Sequence, residues 1–451
     1  MRRVTVLRYP LPLRRRRGEP RLVPYASSAI PFLSAAGRGE VRWTESVRGA
    51  ACRQVASAYT AINSTLKGEM NSKKSKCTCT LTDDLVVDIL SRLPLKSVCR
   101  FKCVCKSWAS LFSDQYFCTK LPRRPAGLLY QDSNNSSIQI AKLPSGNSEI
   151  GTSLSFMPHH ENLKLVDCSN GLILFTHGSK SDSPDSSHFI VCNPATQEWI
   201  ALPDTCPRVN GSDYIAMLAF NPSSSCHFFV FNFQKRRSPH SGVFVITEVE
   251  IFSSEDFTWI ADDAFETEIM MISMPHVLLH GVLYLRTVEH SVFAIETPHM
   301  YKPWIHRWTF ELPGDSCPMN NYIWGCLGES SGILHYMQPN YDGCWLNVWR
   351  LESRHQQWSM THSLSMIDAF GRGTLVHGDP FSVDWSADYG MLSFDLEREI
   401  VFLHDRVSSK VLSYSIRTGK LCEMGDLPRN SLYYVPYWRK FPVVEEDQYW
   451  L

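Results

Sequence analysis

The sequence has no hydrophobic run long enough to form a membrane-spanning helix. None of its apolar stretches approaches the roughly 18 residues that such a helix needs. The apolar residues behind Arg2 and Arg3 are interrupted by Arg8 and by two nearby prolines, a pattern that fits a secretory signal poorly. We therefore expect neither a membrane protein nor a secreted one.

The chain also lacks net charge, but this balance conceals an uneven distribution. Basic and acidic residues number 45 each in a chain of 451 residues. Residues 1–50 contain eleven arginines, no lysine and three glutamates, so the remainder has 34 basic residues against 42 acidic ones. A mildly acidic body disfavours a general surface for nucleic acid or for an anionic membrane.

Residues 1–76 lack a sustained hydrophobic period and are rich in arginine, proline, serine and alanine. This composition predicts a disordered, arginine-rich N-terminal extension. Arg14–Arg17 is typical of a nuclear localisation signal or a nucleic-acid patch, whereas the scarcity of acidic residues is typical of an organellar transit peptide. A third alternative is that the working protein begins at Met70. The sequence alone does not decide among them.

Neither the cysteines nor the histidines have the spacing of a metal site. The pairs Cys77/Cys79 and Cys103/Cys105 are separated by a single residue, whereas zinc-binding pairs usually have at least two intervening residues. The fifteen cysteines fall at apolar positions of predicted helices and strands as often as in loops, which is typical of reduced thiols. We expect no metal, no cofactor, and a location in the cytoplasm, the nucleus or both.

No glycine-rich phosphate-binding loop and no dinucleotide fingerprint occurs in the sequence. Gly328–Gly332 matches the G-x-S-x-G pattern of serine hydrolases, but that motif needs a helix behind its turn. Residues 333–337 instead have the composition of a strand. The chain is therefore predicted not to be an enzyme.

A helical module is predicted between Leu81 and Leu121. The apolar residues of its first helix recur at helical spacing: Leu85, Val86, Ile89, Leu90 and Leu93. Pro94 ends that helix, and two more short helices are predicted, one over Val98–Val104 and one carrying Trp108. A segment of this size cannot hide all its apolar positions from water by itself, so we expect it to pack against a partner.

This module resembles the F-box, and its run Cys103-Val104-Cys105-Lys106-x-Trp108 is similar to that of plant F-box proteins. The resemblance implies docking on a Skp-family adaptor and, through it, on the cullin of a ubiquitin ligase. The family usually has Leu-Pro where this chain has Leu81-Thr82. Because proline at a first helical position is helpful but not required, we expect the module to form.

The resemblance also implies which residues bind the adaptor. They are mainly apolar residues of the first two helices: Leu81, Leu85, Ile89, Leu90, Leu93, Pro94, Val98, Cys103 and Val104. The residues expected to hold the module together are Phe101, Trp108 and Leu111. The alternative is an ordinary helical hairpin within a larger core.

Residues 127–440 contain short aromatic and β-branched runs separated by turns, which predicts strands. Two markers recur there. A tryptophan follows a polar turn at Trp199, Trp259, Trp308 and Trp358, with spacings of 60, 49 and 50 residues. A turn glycine precedes an apolar run at Gly171, Gly281, Gly332 and Gly390, with spacings of 110, 51 and 58 residues. The first glycine spacing is about double the others, as if a glycine had been lost near Asn221-Pro222.

A period close to the roughly 50 residues of a kelch-type blade predicts a β-propeller. Each small sheet would stack on its neighbours to hide both faces, with the tryptophans filling the space between blades. Five repeats are traceable, and a sixth blade follows if the strand at Gly127 closes the ring beside Leu432–Val435. The alternative is a set of unrelated strands in a β-sandwich.

The predicted fold class is thus an α+β multidomain chain. It combines a small three-helix F-box module over residues 77–121 with an all-β propeller-like domain over residues 127–440. The segment Cys168–Leu172, followed by Val191–Thr196, is similar to the first repeat of the F-box-associated domain of plant F-box proteins.

The combined resemblance implies a substrate-recognition subunit of an SCF-type cullin ubiquitin ligase. The β-domain would then hold a target protein on its loops. Aromatic residues in irregular segments are the candidate target-binding positions: Tyr214, Trp304, Tyr341 and Trp385. Two alternatives stay open, namely an F-box protein that binds the adaptor without a degraded target, and a propeller enzyme or glycan binder with an incidental helical lead.

Overall fold

The structure is a computed structural model. It describes residues 5–6, 85, 127–132, 137–143, 154–157, 162–177, 189–205, 213–237, 244–262, 271–287, 289–298, 305–314, 325–352, 357–378, 386–439 and 441. The chain divides into two units, one formed by residues 1–9 with 123–451 and the other by residues 10–122. No helix among the described residues is long and apolar enough to cross a membrane.

Within residues 10–122, only Leu85 is described. It lies in a helix, and its side chain is 54% exposed. The other residues assigned above to adaptor binding and to the core of the helical module lie outside the described residues, as do the two close cysteine pairs. The three-helix module therefore stays a prediction.

The larger unit is built from short antiparallel sheets. Blade 1 consists of β2 (Gly127–Gln131), β3 (Ile138–Lys142) and β26 (Leu432–Tyr434). Blade 2 consists of β4 (Leu163–Ser169), β5 (Leu172–His177), β6 (Phe189–Asn193) and β7 (Glu198–Ala201). Blade 3 consists of β8 (Asp213–Phe220), β9 (Phe228–Arg237), β10 (Phe244–Ser253) and β11 (Thr258–Asp262).

The next three sheets follow the same order. Blade 4 consists of β12 (Met271–Leu279), β13 (Val282–Thr287), β14 (Ser291–Glu296) and β15 (Arg307–Glu311). Blade 5 consists of β16 (Cys326–Ser330), β17 (Ile333–Pro339), β18 (Trp345–Glu352) and β19 (Gln357–Ser365). Blade 6 consists of β22 (Tyr389–Asp395), β23 (Ile400–Asp405), β24 (Lys410–Ser415) and β25 (Lys420–Gly425).

Four short elements lie outside the blades. The connection between blades 5 and 6 contains α1 (Met366–Phe370) and a two-stranded ribbon of β20 (Val376–His377) and β21 (Ser386–Ala387). Strand β1 (Thr5–Val6), from the segment predicted to be disordered, pairs with β11.

The blades form a closed ring. Their innermost strands contact one another in the order β26, β4, β8, β12, β16 and β22, and β22 contacts β26 again. Apolar clusters are shared by consecutive blades around the whole ring; representative members are Leu129 with Phe175, Val191 with Leu218, Phe231 with Leu283, Val292 with Tyr336, Met337 with Val401, and Phe402 with Leu128. This arrangement is a six-bladed propeller, and the sandwich alternative is wrong.

The predicted closing strand is confirmed. Strand β26, from the end of the domain, pairs antiparallel with β2 from its beginning, in the register Gly127↔Tyr434, Leu128↔Tyr433 and Leu129↔Leu432. Blade 1 thus contains strands from both ends of the domain, so the ring cannot open without breaking this pairing.

The turn glycines occupy the first hairpin of a blade. Gly171, Gly281 and Gly332 have φ values of 94°, 76° and 74°, and the residue before each also has positive φ. A two-residue turn with positive φ at both positions matches the twist of a hairpin and favours glycine. In blade 3 the corresponding connection, residues 221–227, lacks glycine, as the doubled spacing indicated.

Gly390 does not belong to this series. It lies within β22, and the first turn of blade 6 is formed by residues 396–399. The prediction was wrong because an apolar run follows a strand glycine as readily as a turn glycine. The G-x-S-x-G match, by contrast, ends in the hairpin turn that leads from β16 into β17.

Each marker tryptophan is the second residue of the outermost strand of its blade. Two of them bond to the preceding blade: Trp259 Nε1 donates to Pro203 O at 2.8 Å, and Trp358 Nε1 donates to Glu311 O at 3.0 Å. Trp259 and Trp358 therefore fill inter-blade space as predicted. Trp199, at 38% exposed, does not, because its side chain lies at the surface of blade 2.

Side chains join the innermost strands, which lack a shared backbone ladder. The Asp167 carboxylate of β4 accepts the backbone N–H of Leu218 in β8 at 2.7 Å, and His276 Nε2 of β12 lies 3.4 Å from it. His276 Nε2 also bonds to Leu218 O at 2.8 Å. Burial raises the pKa of Asp167, while His276 and backbone N–H groups oppose this effect. Three blades thus meet at one carboxylate.

We predict that Asp167→Ala destabilises the propeller by about 1–3 kcal/mol, because it leaves the buried Leu218 N–H without its acceptor. Asp167→Asn should cost less, since the amide oxygen can still accept that N–H. The free energy of unfolding from urea titrations is the measurement, and Asp256→Asn, in an exposed turn of blade 3, is the matched control. Equal stability of Asp167→Ala and the control would show that this contact is unimportant.

Candidate target-binding surface

The antiparallel order of strands divides the connections of the propeller between two ends. In blades 2–6, the first and third turns lie at one end, called here the turn end. The second turns and the connections between blades lie at the other, called here the loop end. Loops carried by a rigid scaffold are the usual place of binding residues.

The turn end is covered in part by residues 435–439 and 441 near the C-terminus. The ring of Tyr437 packs edge-on against Phe220 at 4.9 Å, and Asn193 Nδ2 donates to Arg439 O at 2.8 Å. Gly171 lies directly under this segment, because a Cβ there would come within 2.4 Å of Tyr437 N. At this site the turn residues hold the chain itself.

At the loop end, four segments of blades 5 and 6 and of the connection between them form one hydrogen-bonded body, which we call the blade 5–6 platform. It comprises residues 340–345, 366–378, 386–388 and 405–409. Met366 N donates to Cys344 O at 2.8 Å, and Arg406 N donates to Asp388 O at 2.7 Å. Backbone bonds therefore link the second turns of both blades to the connection between them.

Arg372 ties this platform together. Its guanidinium donates to both carboxylate oxygens of Asp405, at 3.1 and 2.7 Å, and to Asp388 at 3.4 Å. It also lies 5.3 Å from the ring centroid of Phe370, which stacks on Tyr389. A two-pronged arginine–carboxylate bond fixes orientation as well as distance.

The charges of this pair reinforce each other. Burial favours the neutral form of Asp405, but hydrogen bonds from Arg372, Ser408 and the Val407 N–H outweigh it and lower the pKa of Asp405. The hydrogen bond to Asp405 is also the main reason that the pKa of Arg372 is raised. Both groups are therefore charged at neutral pH.

The platform presents apolar side chains to solvent. Tyr341, Trp345 and Val407 are 38%, 46% and 65% exposed, respectively. Tyr341 and Trp345 flank the second turn of blade 5, and Val407 lies in that of blade 6. Exposed aromatic side chains on an ordered support are typical of protein-binding surfaces. No group of three or more potential metal ligands occurs in the part of the chain that the structure describes.

Comparison with known proteins accounts for both parts of the chain. Residues 79–120 match the family model described as F-box domain. Residues 145–435, more than half of the chain, match the model described as F-box protein At3g26010-like, beta-propeller. The chain belongs to this family of F-box proteins.

Curated relatives from Arabidopsis thaliana agree with this assignment. F-box protein At5g49610 is 27% identical over 309 residues, which cover 63% of this chain and 79% of that protein. F-box protein At5g07610 is 28% identical over 305 residues, which cover 63% of this chain and 70% of that protein. F-box proteins with a propeller domain are generally non-catalytic receptor subunits of SCF ligases, and the prediction that this F-box protein is not an enzyme is confirmed.

The four predicted target-binding residues of this F-box protein have different positions. Tyr341 lies on the platform. Tyr214 lies at the start of β8, at the loop end of blade 3, and its hydroxyl accepts a bond from Gln234 Nε2 at 3.2 Å. Trp304 and Trp385 lie outside the described residues. No described contact brings Tyr214 and Tyr341 together, so the role of the set stays a prediction.

Three residues of the platform were not singled out from the sequence. Trp345 follows the Asp342-Gly343 turn signal, and that signal between two strands is enough to place it at a hairpin end. Val407 and Arg372 carry no such local signal, because their position depends on contact between blades 5 and 6.

We predict that Arg372→Lys destabilises this F-box protein by about 1 kcal/mol or more, because lysine cannot form the two-pronged bond to Asp405. The measurement is the midpoint of thermal unfolding at pH 7. Arg417→Lys is the matched control, since Arg417 pairs with Glu399 at the turn end of the same blade and is highly exposed. A loss no greater than that of the control would contradict the role of Arg372.

The same pair predicts a dependence on pH. Because the pKa of Asp405 is lower in the folded state than in the unfolded one, its stabilising effect is complete above the ordinary aspartate pKa of about 3.9. That effect is lost as the pH falls through the folded-state value. The stability difference between wild type and Arg372→Lys should therefore stay constant from pH 7 to about pH 4 and shrink below it. A difference that grows on acidification would oppose this assignment.

Proposed function

We propose that the protein is the substrate-recognition subunit of an SCF-type cullin ubiquitin ligase, binding a Skp-family adaptor through its F-box and a target protein through the propeller. The observation that carries this proposal is the presence, in one chain, of an F-box match at residues 79–120 and a propeller match at residues 145–435. An adaptor-binding module joined to a separate binding domain is suited to bringing a target to a ligase.

The adaptor contact is assigned to the apolar stripe of the first F-box helix. Leu85 supports this assignment, because more than half of its side chain is exposed although it is apolar and helical. An exposed apolar side chain on a helix fits helix-in-groove recognition. We propose that Ile89, Leu90, Leu93 and Pro94 contribute to the same contact with the adaptor.

The target contact is assigned to the loop end, with the blade 5–6 platform as its centre. Tyr341 and Trp345 supply exposed aromatic area, and Arg372 holds the platform that carries them. The turn end is less suitable around blades 2 and 3, where residues 435–439 and 441 already occupy the surface. We also propose that the protein works in the cytoplasm, the nucleus or both.

The first experiment tests adaptor binding. Full-length wild type should co-purify with a Skp-family adaptor, and Leu93→Ala/Pro94→Ala should lose at least about tenfold of the captured adaptor, because it removes buried apolar area from the contact. Trp199→Ala, which alters an exposed side chain of blade 2, is the control. Unchanged melting of the propeller in each variant shows that the loss is specific. No capture by wild type would reject the adaptor role.

A second measurement separates a ligase receptor from an F-box protein that has no degraded target. Proteins bound by wild type should accumulate when cullin activity is blocked. In cells that contain only Leu93→Ala/Pro94→Ala, the same block should not change the levels of these proteins. Bound proteins whose lifetime does not change under the block would favour the non-degrading alternative.

A further inference from the structure

The N-terminal strand β1 lies on the outer edge of blade 3. Thr5 pairs with Ala261 and Val6 pairs with Ile260, so β1 is an antiparallel fifth strand of that sheet. Among the described residues, blades 2, 4, 5 and 6 have four strands each. Addition of a strand to the open edge of a sheet is also a recurring way in which proteins bind extended segments. The edge of blade 3 therefore already accepts a segment from outside the repeats.

The hydrogen-bond pattern of blade 3 determines which backbone groups of β11 face β1. Ser254 N donates to Phe228 O at 3.0 Å on the side of β10 that faces β9. Because the backbone groups of successive residues point to opposite sides of a strand, odd-numbered residues of β10 direct theirs to β11. Ile251 is one of these residues, and it lies opposite Ile260. The backbone groups of Ile260 therefore point inward to β10, and those of Ala261 point outward.

The pairing of Thr5 with Ala261 is thus the hydrogen-bonded one, whereas the N–H of Val6 points away from β11. In total, β1 pairs with two of the five residues of β11. Because each hydrogen bond contributes only about 0.5–1.5 kcal/mol net, so short a pairing is weak. A segment that pairs along the whole of β11 forms more of these bonds and is able to displace β1.

The strand β11 also differs from other outermost strands in its exposure. Each of its five residues is buried or half-buried, whereas β7, β15, β19 and β25 have at least two exposed residues each. Its centre is the apolar run Trp259-Ile260-Ala261. An apolar edge strand is the kind that pairs with a further strand unless something covers it. The composition of β11 therefore favours an added strand.

The charges of the two sequences indicate which kind of segment fits this edge. Residues 262–268, which begin at the last residue of β11, include four carboxylates, and Arg2 and Arg3 precede β1 in the chain. Antiparallel pairing brings the beginning of an added strand to the end of β11. Opposite charges at that end favour a segment whose β-forming residues follow basic residues.

We propose that the outer edge of blade 3 binds an extended, β-forming segment of the target that follows basic residues, and that β1 is an internal competitor for this edge. This inference rests on the proposed function, because it assumes that the propeller holds a target. It adds a second contact to the blade 5–6 platform and gives that contact a chemical class. Access of the target to the edge then depends on the release of β1.

The probe for this edge is a fluorescent peptide of residues 1–9, and its binding is measured by fluorescence anisotropy. Two proteins are compared, namely the full-length chain and a shortened chain that lacks residues 2–9. The peptide should bind the shortened chain at least about tenfold more tightly, because β1 occupies the edge of the full-length chain. Equal melting temperatures of the two propellers show that the deletion leaves the ring intact.

Two proline variants of the peptide locate the backbone contact. Thr5→Pro removes the N–H that faces Ala261 and should weaken binding at least about tenfold, whereas Val6→Pro removes an N–H that points away from β11 and should bind within about threefold of the unmodified peptide. In the shortened chain, Ala261→Pro removes the outward N–H and should also weaken binding, at a position where an edge strand tolerates proline. The peptide variants keep the test valid if Ala261→Pro is unstable, because they leave the propeller unchanged.

Three peptide pools test the chemistry of the partner. They share a core of alternating valine and threonine and differ in the two residues before it, which are arginine, glutamine or glutamate. The shortened chain should bind the arginine pool at least about tenfold more tightly than the glutamate pool, and added salt should reduce this difference. Equal affinity for the three pools would overturn the assigned chemistry.

Equal affinity of the 1–9 peptide for both chains, or no binding to either, would overturn the inference. A dimer of the full-length chain that is lost with residues 2–9 would assign the edge to a second copy and overturn the target contact. Adaptor capture is measured on the same samples. Retained capture without binding at the edge would reject this inference alone, whereas binding at the edge without adaptor capture would reject the receptor role and leave the edge standing.

Discussion

Closure of the ring by β26 and β2 is the constraint on which the rest of the structure depends. Each blade is a small sheet with two apolar faces, so every blade needs a neighbour on both sides to keep those faces from water. The pairing of Gly127–Leu129 with Leu432–Tyr434 supplies the last neighbour, and the cluster that contains Leu128 and Phe402 seals the joint between blades 1 and 6. Once the ring is closed, buried residues of the connections, such as Met366 and Leu375, complete the apolar cluster between blades 5 and 6.

Much of this fold could be predicted from the sequence, because the same structural requirements recur in successive blades. A two-residue turn with positive φ favours glycine at Gly171, Gly281 and Gly332, and an indole that bonds to the preceding blade recurs at Trp259 and Trp358. The turn is local, and the indole contacts the preceding blade at the same point of the repeat, so both residue types recur with the period of the blades. Closure was predictable for a related reason, since strand-like runs at both ends of a repeat array need partners.

The blade 5–6 platform could not be predicted from the sequence, because the positions of its residues depend on contacts between segments far apart in the chain. Arg372 and Asp405 are 33 residues apart, and neither position recurs in other blades. The error at Gly390 has a different cause: an apolar run follows a strand glycine as readily as a turn glycine, and only the pairing of β22 with β23 places Gly390 within a strand. Non-periodic contacts of this kind are set by packing and leave no local signal.

The motif residues that resemble the family's first repeat have a structural role in the described contacts. Ser169 Oγ and Asn170 Nδ2 both bond to Phe220 O of the next blade, and Asn193 holds the C-terminal segment. These bonds supply hydrogen-bond donors to the backbone carbonyl groups of Phe220 and Arg439, and buried carbonyl groups need such partners. Because the bonds end on backbone atoms, they place no demand on the side chains of the loop end. At blades 2 and 3 the frame is therefore held by contacts that do not depend on the side chains of the loop end.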